Sequence, residues 1–213
     1  MKATSTSRLW FRARRSLAGL WRDPSAIAAT EFAVIVPIML VMFFGTVEFS
    51  SGLAVDRKVT LVARTLSDLT SQSAAPIDDT YLKNVFTASI ATLAPYSATP
   101  TRAQLSEVYV DSNQVAKIQW SKAATIASGA TQATLGASSR NAGDTVTLPS
   151  QLLTKQTYLI FSEVSYLYTP TVGYVMGSSG VTLTDTAYTR PRQVLCVIYN
   201  GLPANNPGPC PTP

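Results

Sequence analysis

Phe32-Ala33-Val34-Ile35-Val36-Pro37-Ile38-Met39-Leu40-Val41-Met42-Phe43-Phe44-Gly45-Thr46-Val47 carries no charge over 16 residues. Glu31 precedes it, Glu48 closes it, and Ile27, Ala28, Ala29 and Thr30 extend its small, apolar character backwards. At a helical rise of 1.5 Å per residue, the 17 steps from Glu31 to Glu48 span about 25 Å. A bilayer core is about 30 Å thick. Both carboxylates therefore fall near the interfaces, where a charge costs least. Pro37 argues against a helix in water, but a membrane helix tolerates it as a kink. The alternative is a buried helix of a soluble protein, and the flanking charge weighs against that.

Six basic groups (Lys2, Arg8, Arg12, Arg14, Arg15 and Arg22) stand against Asp23 alone before residue 26. The remaining residues are neutral in sum, so the net charge of +5 belongs to a short leader. Next to an apolar run, such a leader reads as a cytoplasmic flank obeying the positive-inside rule. The other reading is a nucleic-acid arm, but the body of the chain has no basic stripe with interleaved aromatics. No nucleic-acid partner is expected. Of 213 residues none is histidine and two are cysteine. That removes His-based general bases, Ser-His-Asp and Cys-His pairs, and the common zinc and iron–sulfur ligand sets. No catalytic, cofactor-binding or metal site is expected.

Beyond Glu48 the apolar residues Val55, Val59, Val62, Leu66 and Leu69 step by four, three, four and three, a seam on one helix face. Asp56, Arg57, Lys58, Arg64 and Asp68 fall off it. This predicts one helix from Ile27 to Gln72, with its second half packed on the protein's own domain, on other subunits, or on both by different faces. The expected organisation is a basic cytoplasmic leader over 1–26, a transmembrane and extended amphipathic helix over 27–72, and an extracytoplasmic domain over 73–213.

That domain reads as α+β, with an antiparallel sheet of about four strands. Asp78 or Asp79 caps a helix whose apolar face is Leu82, Val85, Phe86, Ile90 and Leu93. An Asp78–Asp79 metal pair is the weaker reading. Gln104–Val110 and Val115–Ser121 form a hairpin about Asp111-Ser112-Asn113-Gln114, with Ile118 and Trp120 on one side. Asp111 opens no calcium loop, for want of the central Gly and the twelfth-position Glu. Residues 122–144, mostly Ala, Ser, Thr and Gly, read as a long mobile loop. Thr157–Tyr168 and Val181–Tyr188 are the remaining strands. Glu163, inside an apolar strand, is expected to point outward or to pair with Arg190 or Arg192. Tyr166, Tyr168 and Tyr174 read as strand-core residues before an adhesive patch. Cys196 and Cys210 would close one loop in an oxidising compartment and remain two thiols in the cytosol. The membrane orientation favours the disulfide, worth about 3 kcal/mol by the chain-entropy argument.

Arg14-Arg15, Trp21-Arg22-Asp23 and Ser25-Ala26-Ile27-Ala28-Ala29-Thr30-Glu31-Phe32-Ala33, running into Val34-Ile35-Val36-Pro37, form a pattern that resembles the TadE/TadG-like pseudopilins of bacterial Flp (tight-adherence) pilus systems. Val55–Arg64, Glu163-Val164-Ser165-Tyr166 and Tyr188-Thr189-Arg190-Pro191-Arg192 are similar to TadG-type relatives. The resemblance implies processing by a prepilin peptidase between Ala26 and Ile27, with Glu31 as fifth residue followed by Phe32. Ala26 stands where the family usually has Gly. It further implies that Glu31 sets subunit register by pairing with the freed amine of a neighbour's Ile27. The other reading of Glu31 is an interfacial carboxylate that ends the span.

The resemblance implies a non-catalytic minor pilin or pseudopilin. It would be single-pass in the bacterial inner membrane, its N-terminus cytoplasmic and its domain periplasmic, with other pilins or pilus-assembly proteins as partners. One alternative is a signal-anchored envelope domain that binds a surface or ligand outside any filament. Another is an exported protein cut near Gly52-Leu53-Ala54.

Overall fold

In the computed structural model, which describes residues 24–170 and 180–200, Pro24 opens a helix, α1 (Pro24–Ser71). Proline suits a first helical turn, where its missing N–H has no partner to lose. The helix is 48 residues long and runs through Pro37. The chain divides into two compact units, one up to Phe49 and one from Ser50. α1 supplies the first and enters the second with residues 50–71.

In the second unit the seam is the buried face of α1. Val55, Val59, Val62, Ala63 and Leu66 are wholly buried, and Leu69 packs beside them. A second helix, α2 (Asp79–Ala91), starts where Asp78 adopts an extended conformation and its carboxylate accepts from Tyr81 N at 2.7 Å. Its buried residues are Leu82, Val85, Phe86, Ser89 and Ile90.

Among the described residues six antiparallel strands follow: β1 (Thr101–Val110), β2 (Ala116–Thr125), β3 (Thr134–Gly136), β4 (Thr145–Val146), β5 (Thr157–Tyr168) and β6 (Val181–Thr189). Their order is β3-β2-β1-β5-β6, with β4 beside the start of β2. The α+β class stands, with more strands than the four expected. Of the additional strands, β3 lies in the stretch read as a mobile loop, 122–144, and β4 follows directly after it. That segment is tied at several points: Leu135 pairs with Ala124, Val146 with Ala116, and Ala133 N donates to Thr87 Oγ1 at 2.9 Å. Two- and three-residue strands carry too short an alternation to stand out in a sequence rich in Ala, Ser and Thr.

One face of the sheet carries Ala103, Leu105, Trp120, Ala124, Ile160, Val164 and Tyr166 in a core shared with α1, α2 and the C-terminal Val197 and Tyr199. The other face carries Val108, Val110, Ala116, Ile118, Leu159 and Phe161 beneath Val146 and Leu148. Ile118 and Trp120 thus lie in different clusters, against the expectation that they share a side. The cause is a bulge: Glu107 pairs with Trp120 and Val108 with Ile118, leaving Gln119 without a counterpart on β1. One unpaired residue inverts the alternation beyond it. The β1–β2 turn forms as read, with Asp111 Oδ1 accepting from Asn113 N at 2.8 Å and Val115 N at 2.9 Å.

Among the described residues β6 has a strand neighbour on one side only, and Asp185 is its middle residue. Glu163 of β5 pairs with Arg140, at 2.6 Å, and not with Arg190 or Arg192. Arg192 instead bonds Asp68 of α1, and Arg190 donates to Thr154 Oγ1 at 3.0 Å. The segment between β3 and β4 brings its arginine closer than the residues after β6 do.

Candidate functional site

The residues singled out by the sequence lie at the start of α1. Ala26 and Ile27 are helical, and Ile27 is exposed. Glu31 sits four residues on, which puts it on the same helix face as Ile27, one turn away. Glu31 is itself exposed. Thr30 Oγ1 donates to the Ile27 carbonyl at 2.8 Å, closing the turn between them. With Pro24 as first helical residue, the first turn of α1 holds no acidic side chain. A chain starting at Ile27 would place Glu31 next to a free amine and near the positive end of the helix dipole.

From Phe32 to Phe49 the apolar side chains face outward. Phe32 is 70% exposed, Met42 68%, Val41 67% and Phe49 63%. α1 is long and apolar enough to cross a membrane, with a mean hydropathy of 2.3 over its 18-residue window. Each such side chain gains about 1.5–3 kcal/mol on leaving water, so a run of them requires lipid or protein around it.

Residues 26–67 match the family model of the TadE-like proteins. This segment is TadE-like. It takes in the candidate processing point, Glu31, the outward apolar run and the seam as far as Leu66. It ends before α2 and the sheet. No curated protein and no solved structure matches the chain. The TadE-like segment thus joins two kinds of helix surface, one exposed and apolar, the other packed in the core of the second unit.

In that unit the structure brings together side chains the sequence did not connect. Arg140 Nε and Nη2 each lie 2.6 Å from a different oxygen of Glu163, which also accepts from Gln104 Nε2 at 2.9 Å. Glu163 holds the Arg140 guanidinium charged more firmly than usual. Asp79 meets the Tyr199 hydroxyl while Asp78 caps α2, so the two carboxylates have separate partners. Among the described residues no group of three or more Cys, Asp or Glu side chains is placed to hold a metal ion. Tyr166 and Tyr168 are buried, whereas Tyr174 lies outside the described residues. Cys196 is buried, and its candidate partner Cys210 also lies outside the described residues.

Glu107 is fully buried and escaped the sequence reading. A signal was present. Ala103, Leu105 and Glu107 alternate along β1 on the side that faces the main core, so the pleat alone puts this carboxylate inside.

Proposed function

We propose that the protein is a membrane-anchored component of a Tad (Flp) pilus system. In this reading it acts as a minor pilin or pseudopilin in filament assembly, without catalysis of its own. The observation that carries the reading is the match of the TadE-like segment to a helix that presents an uncharged apolar surface from Phe32 to Val47. The basic leader favours a cytoplasmic N-terminus, which places the α+β unit on the outer side of the inner membrane. There Cys196 and Cys210 form their disulfide.

In this proposal a prepilin peptidase cuts between Ala26 and Ile27. The new amine is a cation at a helix start. Glu31 of an adjacent pilin subunit pairs with it, offsetting the cost of a carboxylate at the edge of the bilayer. Phe32 and the residues after it pack among neighbouring apolar helices.

Mass spectrometry of the mature N-terminus tests the processing step: a chain beginning at Ile27 supports it, and an intact leader removes the amine-pairing step. Glu31→Ala tests the filament role, with loss of pili expected. Normal piliation by that variant would point instead to an anchored domain that binds a surface or ligand outside the filament.

A further inference from the structure

The last described residues run as an irregular segment, Cys196–Asn200, across the main core. Ile77 N donates to the Ile198 carbonyl at 2.8 Å, and Asn200 N to the Ile77 carbonyl at 3.1 Å. The Tyr199 ring lies 5.4 Å from that of Trp120, with Lys122 Nζ 5.4 Å above it, and its hydroxyl meets Asp79. Beneath this segment sits Glu107. Its Oε1 accepts from Val197 N at 2.6 Å and its Oε2 from Trp120 Nε1 at 3.1 Å. The same indole N–H lies 2.8 Å from the Val197 carbonyl. Glu107, Trp120 and Val197 close a ring of hydrogen bonds in which one carboxyl group connects strand, indole and tail.

This carboxyl forms no ion pair among the described residues. Two neutral donors do not replace the hydration of a buried anion, whose transfer from water costs several kcal/mol even after relaxation. Burial without a countercharge favours the neutral form, and lifting the tail would relieve the anion by letting water reach it.

We propose that Cys196–Asn200 is a proton-gated strap: neutral Glu107 holds it closed on the sheet, and loss of that proton opens it, uncovering Trp120 and the adjoining core. The ionisable groups around the ring are Tyr109 on β1, Tyr158 on β5, Lys122 on β2, Tyr199 on the strap and Asp79 on α2. Burial pushes the Glu107 carboxyl up to about 8, against the opposing pull of the Val197 and Trp120 N–H groups. Burial also pushes the Tyr158 phenol up to about 12 and raises that of Tyr199, so both keep their protons while Glu107 titrates.

The sign follows from linkage. In the open strap Glu107 has its ordinary carboxylate affinity, near 4.5. Between that pH and about 8, opening releases a proton, so the opening equilibrium rises up to tenfold per pH unit. Above about 8 the closed form is ionised as well, and the dependence levels off. The strap is tightest in acid and loosest in mild alkali.

Hydrogen exchange on the full chain in nanodiscs, from pH 5 to 9 and corrected for intrinsic exchange, tests this. The expected result is protection at Val197 that falls by up to tenfold per unit to about pH 8 and then stays level, while Leu105 and Ile160 keep theirs. Glu107→Gln should remove the slope. A flat profile in the unaltered chain overturns the proposal, and decides the matter alone should the glutamine variant not fold. The same slope in Glu107→Gln, or loss of protection at Leu105 in step with Val197, overturns it equally.

Discussion

Arg140, between β3 and β4, forks onto both carboxylate oxygens of Glu163 in the middle of β5. The guanidinium also lies 5.2 Å from the Phe161 ring, so one side chain fastens a long connection to the second sheet face by charge and by stacking. The pair is about 30% exposed, at 29% and 27%, which places it between a surface ion pair and a buried one. Arg140→Ala should cost about 1–3 kcal/mol in urea unfolding. Arg140→Lys should recover only part, because an ammonium cannot fork.

The seam offers a paired test. Leu66 is wholly buried, whereas Leu61, on the same helix, is 45% exposed. Leu66→Ala should destabilise the second unit by about 2–5 kcal/mol. Leu61→Ala should stay within about 0.5 kcal/mol by the same thermal or urea measurement.

Gly180 enters β6 with φ +76°, and a Cβ there would stand 2.7 Å from the Tyr168 carbonyl oxygen. Gly129 has the same φ, with nothing within 4 Å of its Cβ position. Gly180→Ala should therefore cost more than Gly129→Ala. The second carries backbone strain alone, about 1 kcal/mol, and the first adds a clash with backbone. Equal losses on unfolding would show that the β5–β6 end yields freely.

Ala26→Gly restores the residue that the pilin pattern usually has before the cut. The fraction of chains beginning at Ile27, read by intact-mass spectrometry from the native host, should rise or already be complete. A fall would argue against cleavage at this bond.

The large elements were legible because each repeats its signal. The uncharged run and the Val55–Leu69 seam extend over many turns, and Leu82, Val85, Phe86 and Ile90 mark the second helix with a cap residue in place. The alternation of Thr157–Tyr168 survives to the last residue of β5. What the sequence hid depends on single residues or distant partners. Gln119 reverses a pleat without any composition of its own. Arg140 takes Glu163 because the chain path carries it across the sheet, which no spacing between positions 140 and 163 announces. At the start of α1 the uncharged apolar run gives a helix, but Glu31 gains meaning only from the residues around it, Ala28-Ala29-Thr30 before and Phe32-Ala33 after.

β6 leaves one flank of the described sheet without a neighbouring strand, and Asp185 stands at its centre. Two copies meeting flank to flank, antiparallel about their midpoints, would bring two Asp185 side chains face to face, a repulsive cross-strand pair. That charge guards the flank against copies zippering into ribbons.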